Sequence, residues 1–383
     1  MKVRTRIYFI AGVTALAVAA CLLFVWPHLM VAREQSQLFL WNCDYLGERL
    51  MVPGGLAQYV GEWLVQFFYH PLFAAGIYAI LCFASQLLVF RLVGQRYWFL
   101  SFTAPVVVGM LATQPYVPMT LTVALVLMLL MMVLLPPKGM PHILAMSLLT
   151  TVGYWLIGPA VVFMLLCCRW RQAPFWAVLL AGAIYISSLV TPYPLRQVAR
   201  GIDYYWEMHH LGTSEEQSCD WLMRQQRWAD IAEGFKDSKS TAIQNAVLVA
   251  RFHLRQISEQ QLNHQIRLSK GAMHSESGAF LMSEVCMQIG MAQMAQRAAF
   301  EAMEAIPNHN KSGRALRRLV ETNLVTGYPQ VAMKYIGILE ETFAYSSFSK
   351  RMRQLATHPE QLNNHPYYGP LQKAFTESHD TFF

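Results

Sequence analysis

Apolar positions run without interruption through long stretches of the first half of this chain and recur at helical spacing in the second. An uncharged stretch from Ile7 to Ala32 follows the basic segment Met1 to Arg6. It is long enough to cross a bilayer core, which takes about 20 residues. Further apolar runs cover Phe67–Phe90, Trp98–Thr113, Met119–Leu135, Pro141–Cys168 and Phe175–Pro192. Beyond them, an aromatic-rich segment from Tyr193 to Trp206 leads into polar sequence with few β-branched runs and few internal prolines. The pattern predicts an all-α chain in three parts. Residues 1–192 form a polytopic transmembrane helical bundle, 193–214 a juxtamembrane linker, and 215–383 an α-helical repeat domain.

The repeat shows in small residues. Gly290-x4-Ala295 and Gly327-x4-Ala332 recur 37 residues apart, and the first continues as Ala299, Ala302 and Pro307. Small side chains there let two antiparallel helices pack closely, and the proline ends the second helix. The spacing resembles the second half of a tetratricopeptide repeat, with Arg227-Trp228 and Ala232 as a degenerate earlier copy. An ordinary bundle of helical hairpins is the alternative, and either serves as a binding or packing module.

Composition locates the apolar surplus. The chain is 55% hydrophobic and 14% charged, with a net charge of +7. Residues 1–192 hold 10 of the 30 basic residues and 4 of the 23 acidic ones, so the excess positive charge arises in the apolar half. There it flanks hydrophobic runs as a topology signal, and no nucleic-acid partner is expected. Arg91 with Arg96, Lys138, and Arg169 with Arg171 mark cytoplasmic connections under the positive-inside rule, which puts the loop at 33–66 outside. The expected setting is the inner membrane of a bacterium, with the lipid bilayer as first partner. Gly158-Pro159 can turn the segment between Lys138 and Arg169 into a hairpin, leaving the tail periplasmic; one long helix there would leave it cytoplasmic. Val18-Ala19-Ala20-Cys21 has the spacing of a lipid-attachment box. The apolar run continues through Leu22–Trp26, however, so the first helix is expected to be retained. Seven cysteines show no Cys-x-x-Cys pair, His253, His264 and His274 lack metal-ligand spacing, and the adjacent His209-His210 reads as surface decoration, so no metal site is expected.

Every carboxylate of residues 1–192 falls in or beside the external loop: Glu34, Asp44, Glu48 and Glu62. Burying a carboxylate is costly, so acids in so apolar a sequence mark positions that water, cations or chemistry can use. Asp44 and Glu48 stand four apart and share a face if helical. Pro53-Gly54-Gly55 ends that helix, and Leu56, Tyr59, Val60, Trp63 and Phe67 then fall at the spacing of an amphipathic helix.

One span, an external loop with an acid and an amphipathic helix, then several closely connected spans: this order resembles the GT-C class of membrane glycosyltransferases. Some members of that class also carry tetratricopeptide arrays. The resemblance implies sugar transfer from a polyprenyl-phosphate donor to an envelope glycan or lipid, with Asp44 as catalytic base. Glu48 would assist or hold a divalent cation, no other cofactor being expected. Arg33 or Arg49 would offset the donor phosphate, and Trp41, Tyr45, Tyr59 and Trp63 would stack on sugar or isoprenoid. The string from Gln37 to Pro71, with Asp44-Tyr45, Pro53-Gly54-Gly55-Leu56 and Tyr69-x-Pro71, more closely resembles a bacterial family of multi-span proteins of unknown function. Whether the chain is an enzyme stays open. The alternative is a membrane-anchored scaffold whose helical repeats bind envelope proteins. A transporter ranks third, because residues 65–192 contain no acid to form an intramembrane ion site.

Overall fold

A computed structural model describes residues 3–136, 140–167, 172–206, 211–306 and 311–378. Lys138, Cys168, Arg169, Arg171, the His209-His210 pair and Pro307 lie outside the described residues. The fold is all-α, with no strand among the described residues. It divides into two compact units. Met1–Met30 and Trp41–Trp206 form one, and Val31–Leu40 and Glu207–Phe383 form the other. The aromatic segment from Tyr193 to Trp206 is thus part of the first unit.

In the first unit the helices are α1 (Val3–Val25), the start of α2 (Pro27–Gln35), α3 (Cys43–Leu50), α4 (Gly55–Val65), α5 (Pro71–Val93), α6 (Thr103–Thr113), α7 (Met119–Leu134), α8 (Met140–Ile157), α9 (Ala173–Val190) and α10 (Leu195–Arg200). Among the described residues, four stretches are long and apolar enough to cross a membrane: Thr5–Val25, Pro71–Val93, Met140–Leu166 and Ala173–Val190. The expected run Trp98–Thr113 is not a continuous helix. Its first five residues belong to a 3-10 segment, Gln95–Phe102, and the 11 residues of α6 rise only about 16 Å, half a bilayer core.

The stretch from Met140 is broken at Gly158, whose φ of +73° favours glycine. The Val161 side chain comes within 3.6 Å of where a Cβ on Gly153 would stand, so the chain turns back alongside α8. The interrupted backbone is satisfied by protein groups, as irregular structure in an apolar setting requires. Gly54 N–H donates to the Trp155 carbonyl at 2.8 Å, and the Tyr204 hydroxyl donates to that of Ile157. Trp155 Nε1 donates in turn to the Leu50 carbonyl at 2.9 Å. The Pro-Gly-Gly break, the Gly-Pro turn and the aromatic segment after the last span therefore meet at one point.

The second unit is built of helical hairpins: α11 (Ser214–Arg224) with α12 (Trp228–Gly234), α13 (Thr241–His253) with α14 (Glu259–Gln265), α15 (Glu276–Gln288) with α16 (Ala292–Glu304), and α17 (Gly313–Val325) with α18 (Pro329–Glu340). α19 (Ser346–Thr357) follows. All four turns share one geometry. A single residue has positive φ: Gln226 at +55°, Arg255 at +58°, Gly290 at +80° and Gly327 at +83°. The next N–H donates five residues back, from Arg227 to Leu222, Gln256 to Arg251, Met291 to Cys286 and Tyr328 to Asn323, at 2.7–3.0 Å. This is the Schellman ending of a helix. Ala295 and Ala332, the small residues of the sequence repeat, have no exposed surface.

Candidate functional site

Helix α3 begins at Asn42, whose side-chain oxygen accepts from Tyr45 N–H at 2.7 Å. Two i,i+4 pairs then lie on adjacent stripes of a short helix. Asp44 and Glu48 are exposed, whereas Tyr45 is buried and Arg49 half-buried. The inward pair meets Glu62 of α4, which has no exposed surface. Tyr45 Oη donates to Glu62 Oε2 at 2.6 Å, Arg49 Nε to the same oxygen at 2.8 Å, and Gln58 Nε2 to Oε1 at 3.0 Å. Arg49 Nη2 also donates to Tyr45 Oη at 3.0 Å and lies over the tyrosine ring. Burial pushes Glu62 up to about 7, with the Asp203 charge adding and the Arg49 charge opposing.

Asp203 arrives from the far end of the unit. Gly61 lets α4 and α7 touch: a Cβ there would stand 2.9 Å from Thr120 N. Thr120 Oγ1 donates to Asp203 Oδ2 at 2.6 Å and Trp206 Nε1 to Oδ1 at 3.0 Å. The interval 65–192 is indeed free of acids, yet acids from either side of it are electrostatically coupled inside the apolar unit. The sequence carried one sign of this: Asp203 is the first acid after the apolar runs, set within the aromatic cluster Tyr204-Tyr205-Trp206.

The other candidates scatter. Tyr59 packs tilted against Tyr45 with ring centroids 6.3 Å apart, Trp63 meets Phe67 edge-on, and the exposed Trp41 donates to Gln66 at 3.3 Å. Arg33 belongs to the second unit and is buried there. Of the two cations expected to offset a donor phosphate, Arg49 pairs with Glu62 and Arg33 is buried in the second unit. Among the described residues, no group of three or more His, Cys, Asp or Glu could hold a metal ion.

A second polar assembly surrounds the residues that follow the first apolar helix. Arg314 of α17 holds Asp220 of α11 with both terminal nitrogens, at 2.6 and 2.7 Å, reaches Glu284 of α15 at 3.0 Å, and lies over the Phe280 ring. Arg318 bridges Glu284 at 2.7 Å and Glu321 at 2.9 Å. The chain's own segment fills this face. Gln35 Oε1 accepts from Arg314 at 2.9 Å, Ser36 Oγ donates to Glu276 at 2.6 Å, and Glu34 accepts from Tyr345 Oη at 3.1 Å. Glu34, Gln35, Ser36, Gln37 and Phe39 are all buried. Burial pushes Glu34 up to about 7 and Glu276 to about 8, against the pull of neighbouring arginines, while Arg318 and Arg314 outweigh burial at Glu284 and hold it well below the carboxylate range. The sequence marked Glu34 as one of four acids in the apolar half, but nothing in it pointed to burial of Gln35, Ser36 and Gln37.

No curated protein and no solved structure matches this chain. Both assemblies draw on residues from distant parts of the sequence, and it is over the full length, residues 2–383, that a family model matches: the chain belongs to DUF6057, a family of unknown function.

Proposed function

We propose that this protein is a membrane-anchored scaffold whose helical-repeat unit grips the segment emerging from the first apolar helix. The observation that carries this reading is the burial of Glu34, Gln35 and Ser36 against Tyr345, Arg314 and Glu276. Desolvating polar groups is tolerated when they are paired, and here the pairs join two hairpins and the connection before α19 to one ten-residue piece of chain. The repeat face that would otherwise take a partner peptide is filled from within, so an envelope partner engages another surface. Because residues 31–40 belong to the repeat unit, we place that unit at the membrane face where the first helix exits. The positive-inside rule makes this the external, periplasmic face of a bacterial inner membrane. Maleimide that does not cross membranes should label the exposed Cys43 and an introduced K350C in intact cells.

The second reading, sugar transfer from a polyprenyl-phosphate donor, draws support from the exposed pair Asp44 and Glu48 on a helix that Tyr45 and Arg49 anchor to Glu62. Asp44 would then be the base, free to approach an acceptor hydroxyl. One experiment separates the two readings. Cells lacking the gene are complemented with Asp44→Asn or with a chain ending at Trp206. The scaffold reading expects the first to restore the phenotype and the second to fail; the opposite result overturns it in favour of transfer chemistry.

A further inference from the structure

Away from the gripped segment, the repeat unit has a cleft of about 460 Å³ lined by Phe235, Val247 and Leu248 of its apolar floor and by Lys236, Arg251, His264 and Arg267. Among the described residues no acid lines it, although the unit, residues 31–40 and 207–383, carries 19 basic and 19 acidic residues. In a unit so nearly balanced, a solvated surface would intersperse the two signs, as it does at Arg227–Asp230 and Arg353–Glu340. Among the described residues, Arg251 and Arg267 enter no ion pair, and Lys236 reaches Glu233 only at 3.8 Å.

The cleft is also held in shape. Asn245, 1% exposed, lies on its floor and clamps Arg267 by the backbone. Its Nδ2 donates to the Arg267 carbonyl at 2.8 Å, and its Oδ1 accepts from the Arg267 N–H at 2.9 Å. The arginine at the rim is therefore fixed by a buried amide on α13, the helix that also supplies Arg251. Two guanidinium forks and an ammonium match an anion with several oxygens and more than one charge. Guanidinium geometry suits phosphate oxygens pairwise, and a single carboxylate would leave one fork unused. The apolar floor suits a short organic moiety beside the charge.

We propose that this cleft, between α13 and α14, binds a phosphate-bearing organic anion. The proposal does not rest on the scaffold reading and would survive its failure. The ligand chemistry could come from a lipid headgroup or from a soluble phosphate compound.

The test uses the full chain in nanodiscs of neutral lipid, titrated calorimetrically with inorganic pyrophosphate. Saturable binding is expected, weakened at least tenfold in an Arg251→Gln, Arg267→Gln double variant and unchanged in Arg297→Gln, a change elsewhere in the same unit. Binding should also fall steeply with added salt, since the site is open to solvent. Repeating the titration in discs of anionic phosphatidylglycerol distinguishes the sources: loss of pyrophosphate binding there assigns the site to a lipid headgroup, retention to a soluble phosphate. Circular dichroism confirms that the double variant is folded, as expected for exposed or half-exposed side chains. No saturable binding in neutral discs, or binding equal in wild type and double variant, overturns the proposal.

Discussion

Arg314 grips Asp220 through both terminal nitrogens while the same guanidinium donates to Gln35, so one side chain ties two hairpins to the segment after the first helix. Removing it strands Asp220 and leaves Glu284 to Arg318 alone. Breaking a buried ion pair from one side costs about 3–5 kcal/mol. Arg314→Met should therefore destabilise the repeat unit by about that amount, and Arg314→Lys by less, since it keeps the charge and loses the fork. Urea unfolding in detergent measures the loss. Trypsin provides a local readout, because the bond after Arg33 is buried in the wild type and should become cleavable in Arg314→Met without any change in the first unit.

Two carboxyls in the same assembly make its stability depend on pH. Glu34 and Glu276 are raised from 4.5 to about 7 and about 8. The folded state thus holds protons that the unfolded chain would release, and the stability they contribute is complete below about 4.5 and lost as pH rises through about 7 to 8. Each tenfold gain in proton affinity on folding is worth about 1.4 kcal/mol, so the fall reaches a few kcal/mol. Glu284 works in reverse: its lowered value contributes stability above 4.5 that is lost in stronger acid. The repeat unit should be most stable near pH 5. Glu34→Gln and Glu276→Gln should each flatten the alkaline decline, which thermal unfolding across pH 5 to 8.5 will show.

The carboxylates of the apolar unit divide by burial, and so should their variants. Glu62 accepts from Tyr45, Arg49 and Gln58 and has no exposed surface. Glu62→Gln leaves Arg49 without its counter-charge and should cost about 3 kcal/mol, whereas Tyr45→Phe, which removes the hydrogen bonds to Glu62 and from Arg49, should cost about 2 kcal/mol. Asp44→Asn and Glu48→Gln alter exposed groups and should stay within about 0.5 kcal/mol. Melting temperatures of the detergent-solubilised chain check the order. A loss of function in Asp44→Asn at unchanged stability would then report chemistry alone.

Much of this organisation was legible in advance. The apolar runs other than Trp98–Thr113, the Pro-Gly-Gly break before α4 and the helix break at Gly158-Pro159 each follow from local rules about burial and backbone freedom. What local rules cannot carry is pairing across sequence. Glu62 and Asp203 are coupled because Gly61 admits the Thr120 backbone and Thr120 turns its hydroxyl to Asp203, a relation between three distant segments. Glu34–Gln37 are polar and follow a helix, so their pattern matches that of a solvated loop. Only partners such as Arg314 of α17, 279 residues beyond Gln35, make them a buried core.

The four turns of the repeat unit illustrate the same boundary and yield a direct test. Gly290 and Gly327 announce their turns and Arg227-Trp228 marks a degenerate copy, but Gln226 and Arg255 occupy the same left-handed position with a side chain, so the shared turn did not show in the sequence. Left-handed backbone strains a residue bearing a Cβ by about 1–2 kcal/mol, partly offset by the greater freedom glycine has when unfolded. Gln226→Gly and Arg255→Gly should each stabilise the unit by about 0.5–1 kcal/mol. Gly327→Ala should destabilise it by about 1 kcal/mol for purely conformational reasons, since a Cβ there meets nothing within 4 Å. Gly290→Ala should cost somewhat more, because a Cβ would come within 3.3 Å of Ala374. Equilibrium urea unfolding of the four variants resolves these differences. Opposite signs for the Gln226 and Gly327 substitutions would establish that all four hairpins end their first helix by one mechanism.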